Sequence, residues 1–234
     1  MSAANIAIIP ARGGSKRIPR KNLAPFHGEP LIAWTIRAAL ESEHCDAVWV
    51  STDDPEIARV SESYGAIAPK LRDKYSDDFT TVSQATAYAL SQAEEHLGTT
   101  FENVIQLLPS CPLRNSAHIG TVFDKLQEGR SKSVMSCFKL GWLNPWWSFE
   151  MDSEGRASEL FPEAKTKRSQ DLPDLYCVSG AVWTATSAAL REHQTFYLED
   201  RIYCPIPWMA AIDIDDNDDL QMAQAFKKSA PTLT

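Results

Sequence analysis

Long apolar runs, clustered cysteines and an excess of positive charge are what this sequence lacks. No stretch approaches the roughly 20 consecutive apolar residues that a bilayer-spanning helix requires, so no membrane partner is expected. The start has no basic segment followed by an apolar one, so no secretory signal is read there. The five cysteines (Cys45, Cys111, Cys137, Cys177, Cys204) are odd in number and scattered. They form no C-x-x-C pair and no Cys/His group, which argues against zinc and for free thiols in a reducing cytoplasm. The formal net charge of -8 has the wrong sign for a general nucleic-acid binder. His27, His44, His96, His118 and His193 show no triad or ligand spacing. Ser110–Cys111 lacks the context of a nucleophile elbow, and Trp142, Trp146 and Trp147 lack the basic residues of a nucleic-acid stacking platform.

What is present is the punctuation of an α/β domain, and 234 residues suffice for one large domain with a real core. Strands are expected at 5–10, 47–52, 104–108 and 133–138, with helices at 29–43, 55–64, 82–96 and 116–128. Either Asp53 or Asp54 can cap the second helix, with Pro55 at its first position. Strands alternating with helices of about 10–15 residues imply right-handed βαβ units and a mostly parallel sheet. Periodicity fails over 139–178, which reads as an inserted arm. A strand at 179–184, a short helix to 192, late strands at 201–206 and 210–214, and a helix at 218–228 complete the chain. The last six residues, SAPTLT, are expected to fray.

Residues 8–22, IIPARGGSKRIPRKN, carry the strongest chemical signal. An apolar strand ends in a Gly pair and five cations, Arg12, Lys16, Arg17, Arg20 and Lys21. Gly13 and Gly14 let the backbone approach an anion, and the side chains can neutralise phosphate charge. Ligands bind at the carboxyl ends of strands in open α/β sheets, so this position points to a polyphosphate. The spacing is neither a Walker A loop nor the G-x-G-x-x-G of a dinucleotide-dependent oxidoreductase.

A second signal lies near the other end. In AIDIDD, Asp213 and Asp215 are two residues apart in a β-like run, so both carboxylates point to one face. Two hard oxygen ligands suit Mg²⁺, which completes its shell with phosphate oxygens and water. An acidic surface turn has the same composition. Asp218 reads as a helix cap or dipole partner.

Five segments in order resemble the CMP-acylneuraminate synthetase (acylneuraminate cytidylyltransferase) family. They are IIPARGGSKRIPRKN; VSTDDPEIARVSESYGA; QLLPSCPLRNSAHI, similar to LQPTSPLR; RSQDLPDLYCVSGAVW, similar to R-x-Q-x-L-P…NGAIY; and IDIDDNDDLQMA, similar to IDIDT-x-x-D-L. The resemblance spans residues 6–226. It implies a three-layer, Rossmann-like α/β fold of nucleotide-diphosphosugar-transferase type, forming a single domain with a dimerisation arm at 139–178. It also implies transfer of CMP from CTP to the anomeric hydroxyl of a nonulosonic acid, with release of pyrophosphate and with Mg²⁺ as cofactor.

By the same resemblance, Arg12, Lys21, Asp213 and Asp215 are catalytic, the two aspartates holding the metal. Gly13, Gly14, Ser15, Lys16 and Asn22 surround the phosphates. Arg72, Thr80 and Thr81 match positions around the cytosine, and Gln106 matches a Gln that contacts nucleotide and sugar. Arg168 and Gln170 lie near the sugar acid, with Ser179 and Trp183 in the NGAIY-like segment. Phe196 and Tyr197 match an aromatic pair that crosses a homodimer. The chain departs from the pattern on the sugar side: NPWW stands where some members have a Lys, Ser179 replaces an Asn, and Trp183 replaces a Tyr. Legionaminic, pseudaminic or a related acid is therefore as open as N-acetylneuraminic acid. Another acceptor, such as 3-deoxy-octulosonic acid, or a nucleotide-binding protein without catalysis are the alternatives.

Overall fold

The computed structural model describes residues 4–75, 80–141 and 144–229. Trp142, residues 76–79 of the SDDFTT segment and the tail at 230–234 lie outside the described residues.

In chain order the elements are β1 (Asn5–Pro10), β2 (Pro25–Phe26), β3 (Glu29–Pro30), α1 (Leu31–Leu40), β4 (Ala47–Ser51), α2 (Pro55–Ser63), α3 (Val82–Leu97), β5 (Asn103–Gln106), α4 (Ser116–Gln127), β6 (Ser133–Lys139), β7 (Phe149–Met151), β8 (Ala157–Glu159), β9 (Tyr176–Thr186), α5 (Ser187–His193), β10 (Ile202–Pro205) and α6 (Asn217–Ser229). The local chemistry sets several boundaries. Pro30 closes a hairpin with Pro25 and so delays α1 beyond the expected start. Asp54, not Asp53, caps α2 by accepting from the backbone N–H of Glu56 and Ile57. Thr81 and Gln84 form a capping box on α3, and Gly98 in the left-handed region ends that helix.

Six strands form the main sheet in the order β10-β6-β9-β5-β1-β4. β1 is parallel to β4 and β5, and β10 is parallel to β6. β9 enters between β5 and β6 and is antiparallel to both. The sheet is buried on both faces, which is why its strands are apolar throughout. Ala7 and Ile9 of β1 pack with α1, α2 and α4 on one face. Ile6 and Ile8 pack with α3 and Leu190 of α5 on the other. These three layers are the expected architecture. The expected arm gives its last three residues to β9, and it contains the β7–β8 hairpin.

One expected strand does not form. Residues 210–214 have no ladder, and of their N–H groups only that of Ile214 bonds across, to the Ser110 carbonyl at 2.8 Å. The alternation that signalled a strand is nonetheless present in the burial. Ile212 and Ile214 are buried in a third cluster with Ile18, Phe26, Leu31 and Ala223 of α6, so Asp213 and Asp215 face outward between them. This small core joins the segment after β1 to the segment before α6.

Candidate active site

The turn after β1 is built by two acids of the β4–α2 connection. Asp53 accepts from the Gly13 N–H at 2.8 Å. A Cβ on Gly13 would lie 2.9 Å from both Cβ and Oδ2 of Asp54, whereas one on Gly14 would meet nothing within 4 Å. Only the first glycine is therefore demanded by packing. Asn22, itself buried, donates to the Arg12 carbonyl at 2.9 Å and closes the loop from its far side. Arg20 adopts a left-handed conformation and pairs with Asp54 at 3.1 Å and Glu56 at 2.7 Å. It braces the loop against α2.

The third apolar cluster brings the cationic loop to the acidic segment. The Lys21 Nζ donates to the Ile214 carbonyl at 2.6 Å and lies 3.4 Å from Asp215 Oδ1. Arg17 reaches the other carboxylate oxygen at 3.0 Å. These residues border a cleft of about 440 Å³ lined by Arg12, Ser15, Lys16, Lys21, Asn22 and Asp215, with Leu108–Ser110 as its floor. A second cleft of about 240 Å³ shares Pro10 and Arg12 with the first, and Arg72, Thr80 and Thr81 line it. Two guanidiniums meet where the clefts join. Burial lowers the Arg72 pKa, Asp53 opposes the shift, and the like charge of Arg12 adds to it.

Asp213 keeps open surface but lines neither cleft, and protein crowds its carboxylate. That desolvation raises its pKa, the Ser110 hydroxyl draws it back, and Asp215 pushes it further up. Among the described residues, no group of three or more His, Cys, Asp or Glu side chains could hold a metal alone. The pair Asp213–Asp215 does fit Mg²⁺, because an under-compensated carboxylate beside a second one offers hard oxygens and leaves positions for substrate oxygens.

The remaining expected residues separate into three groups. Gln106 ends β5 fully buried and accepts from the Thr86 hydroxyl at 2.7 Å, while its Nε2 has no partner among the described residues. The side chain that precedes Pro109 on the cleft floor is Leu108. Ser179 and Trp183 are buried; the Ser179 hydroxyl donates to the Ala211 carbonyl at 3.2 Å, and the Trp183 indole donates to the Ser179 carbonyl at 2.7 Å. Phe196 is buried against Trp183, whereas Tyr197 is exposed. Arg168 and Gln170 are exposed on the arm, and Arg168 pairs with Asp171 at 2.7 Å. None of these residues lines either cleft.

Four contributors were not among the site residues expected from sequence. Asp53 and Asp54 shape the turn, as described. Asp216, not Asp218, caps α6, accepting from the N–H of Asp218 and Asp219. Gly180 permits close packing, because a Cβ there would stand 3.1 Å from Leu108 Cγ and 3.6 Å from Asp213 Oδ2. Its signal was the glycine after Ser179 in the NGAIY-like segment.

The family model described as "Cytidylyltransferase" matches residues 6–201. The chain belongs to the cytidylyltransferase family. This cytidylyltransferase is 35% identical over 226 residues to "Pseudaminic acid cytidylyltransferase" of Campylobacter jejuni subsp. jejuni serotype O:23/36, with 96% of each chain covered. It is 35% identical over 199 residues to "CMP-N,N'-diacetyllegionaminic acid synthase" of Legionella pneumophila subsp. pneumophila, with 83% of each covered. Its fold is similar to that of a CMP:2-keto-3-deoxy-manno-octonic acid synthetase solved with CTP, at a TM-score of 0.71 and 17% identity, covering 97% of this chain and 99% of that one.

Proposed function

We propose that this cytidylyltransferase transfers CMP from CTP to the anomeric hydroxyl of a nonulosonic acid of the pseudaminic or legionaminic kind. One observation carries the reading: Lys21 and Asp215, from opposite ends of the chain, meet beside Arg12, Ser15 and Lys16 in one cleft at the carboxyl end of β1. The relatives aligned along most of their length, which act by their names on pseudaminic and legionaminic acids, support the choice of acceptor.

In this reaction the anomeric hydroxyl gives its proton to water, its oxygen bonds to the α-phosphorus, the bond to the bridging oxygen breaks, and pyrophosphate leaves with the electron pair. Arg12, Lys16 and Lys21 hold the β- and γ-phosphates and offset the charge that grows on the leaving group. Of the loop's backbone N–H groups, that of Gly13 goes to Asp53 and that of Ser15 to the Gly13 carbonyl, so the Gly14 N–H is the neutral donor offered to the phosphates. The second cleft receives the base between Arg72, Thr80 and Thr81. Asp213 and Asp215 would hold Mg²⁺, which when bound supplies Lewis acidity toward substrate oxygens. Catalysis is then mainly positioning and electrostatics, without a covalent enzyme intermediate.

A homodimer and a cytoplasmic setting belong to the same reading. Phe149, Met151 and Leu160 on the arm, with Tyr176, Val178, Tyr197 and Tyr203 on β9, β10 and the loop between α5 and β10, expose apolar surface that a second copy would cover. All five thiols are unpaired, as a reducing compartment keeps them. The function is tested by supplying CTP, Mg²⁺ and a panel of nonulosonic acids and measuring pyrophosphate. Release with pseudaminic or legionaminic acid supports it, and release with none of the panel overturns it.

A further inference from the structure

Arg114 is a buried cation without an acid. It follows the cleft floor, just before α4, and is almost wholly enclosed. Among the described residues it makes no ion pair. Its Nε donates to the Ala181 carbonyl at 2.8 Å. Its Nη2 donates to the Leu108 carbonyl at 2.8 Å and to the Thr35 hydroxyl at 3.0 Å. Nη1 has no partner. Burial lowers its pKa to about 10, so the guanidinium stays charged at neutral pH. Enclosing a charge with only neutral acceptors is expensive. Stability alone would be better served by an apolar side chain, so the fork must provide something else.

The acceptors identify what it provides. β6 advances from Met135 to Cys137 while β9 runs from Trp183 to Val178, so residues 179–182 leave the β6 ladder as a bulge. Bulges commonly re-aim a strand beside an active site and leave backbone groups without ladder partners. Side chains satisfy them here. Ser136 Oγ and Trp183 Nε1 donate to the Ser179 carbonyl at 3.0 and 2.7 Å, and Ser136 Oγ accepts from the Val182 N–H at 3.0 Å. The Ala181 carbonyl falls to Arg114. On the other side, the Leu108 N–H donates to the Gly180 carbonyl at 3.3 Å, so one guanidinium clamps the bulge to the cleft floor. Gly180 in that bulge lies beside Asp213, and Ser110 on that floor accepts from the Ile214 N–H.

We propose that Arg114 is a positioning residue for CMP transfer, fixing the bulge of β9 against the Leu108–Ser110 floor so that the segment carrying Asp213 is held in register with the phosphate loop. The inference rests on the proposed function. It requires the fork, not only the charge, because a lysine ammonium cannot span two carbonyls and a hydroxyl in the same plane. The triphosphate loop does not touch Arg114, so nucleotide binding and turnover should separate.

The experiment compares wild type, Arg114→Lys and Thr35→Val for thermal unfolding, CTP affinity by calorimetry, and kcat with CTP and the best nonulosonic acid. The Arg114→Lys variant should keep its CTP affinity within about threefold while kcat falls about 100-fold, the loss that roughly 1 Å of misplacement causes. Thr35→Val removes one acceptor with little change of shape and should show the same split at smaller size. Arg114→Lys with near-wild-type kcat, or with CTP affinity falling in step with kcat, overturns the proposal. If the lysine variant does not fold, unchanged kcat in Thr35→Val overturns it, and a lowered kcat at constant CTP affinity supports it. A wild-type protein that transfers nothing from CTP would instead remove the function on which the inference rests.

Discussion

Replacing Gly180 by Ala tests the packing of the site with the fewest changes of chemistry. The added methyl adds no charge and takes no hydrogen bond. Its carbon would stand 3.1 Å from Leu108 Cγ, closer still to Leu108 Cδ1, and 3.6 Å from Asp213 Oδ2. Carbon atoms rest at about 3.5–4.0 Å, so the Leu108 side chain must retreat by roughly 1 Å or more. Leu108 packs against the core below and lines the cleft above, and its escape is upward into the cleft. Overpacking of this kind costs about 1–3 kcal/mol. For a chain of this size each kcal/mol lowers the melting temperature by about 2–4 °C, giving a drop of about 2–12 °C. The same movement narrows the cleft beside Asp213, so kcat should fall by more than the change in CTP affinity. Thermal unfolding and a nucleotide titration on one preparation check both parts. A variant that melts and turns over like the wild type would refute the close packing of β9 on Leu108.

Three further outcomes follow from individual contacts. Gly13→Ala should weaken CTP binding and destabilise the turn, because the methyl strikes Asp54, which cannot withdraw without releasing the cap of α2; calorimetry with CTP and a melting curve check this. Lys21→Ala removes one charge-assisted contact worth about 1.5–3 kcal/mol, so CTP affinity should drop about ten- to hundredfold, and an unchanged titration would exclude the phosphate role. His118 accepts from the Asn115 N–H at 3.2 Å, and burial with the nearby Arg114 charge lowers its pKa below 6.5. The unfolded chain therefore binds the proton first, and stability is lost as pH falls below about 6.5. His118→Gln keeps the capping box, as Gln84 does on α3, and should flatten the decline in melting temperature between pH 7 and pH 5.

Periodicity and caps made most of the architecture legible. Apolar strands and amphipathic helices located β1, β4, β5 and β6 and the helices that cover them, because both faces of the sheet are buried. Orientation was not legible: β9 carries the same alternation whether it runs parallel or antiparallel, and its partners on both sides are remote in sequence. Residues 210–214 were read as a strand, with Ile212 and Ile214 alternating with the aspartates. The alternation was real, but its cause is burial against Ile18 and Phe26, not a ladder. The cationic loop and the Asp pair were visible in spacing alone, since each is local. Ser179 and Trp183 were read by position in a motif, whereas the Ser179 hydroxyl donates to the Ala211 carbonyl and accepts from the Ala181 N–H, and the Trp183 indole donates to the backbone of β9. Arg114 stands at the Arg of the LQPTSPLR-like segment but was given no role, because the motif does not disclose that this arginine is buried.

The most direct measurement is a ³¹P NMR time course of the protein with CTP, Mg²⁺ and pseudaminic or legionaminic acid. The account expects the triphosphate signals to give way to one phosphodiester and pyrophosphate, and expects neither product from Asp215→Ala. Phosphodiester formation undiminished in that variant, or no phosphodiester from the wild type with either acid, would contradict it.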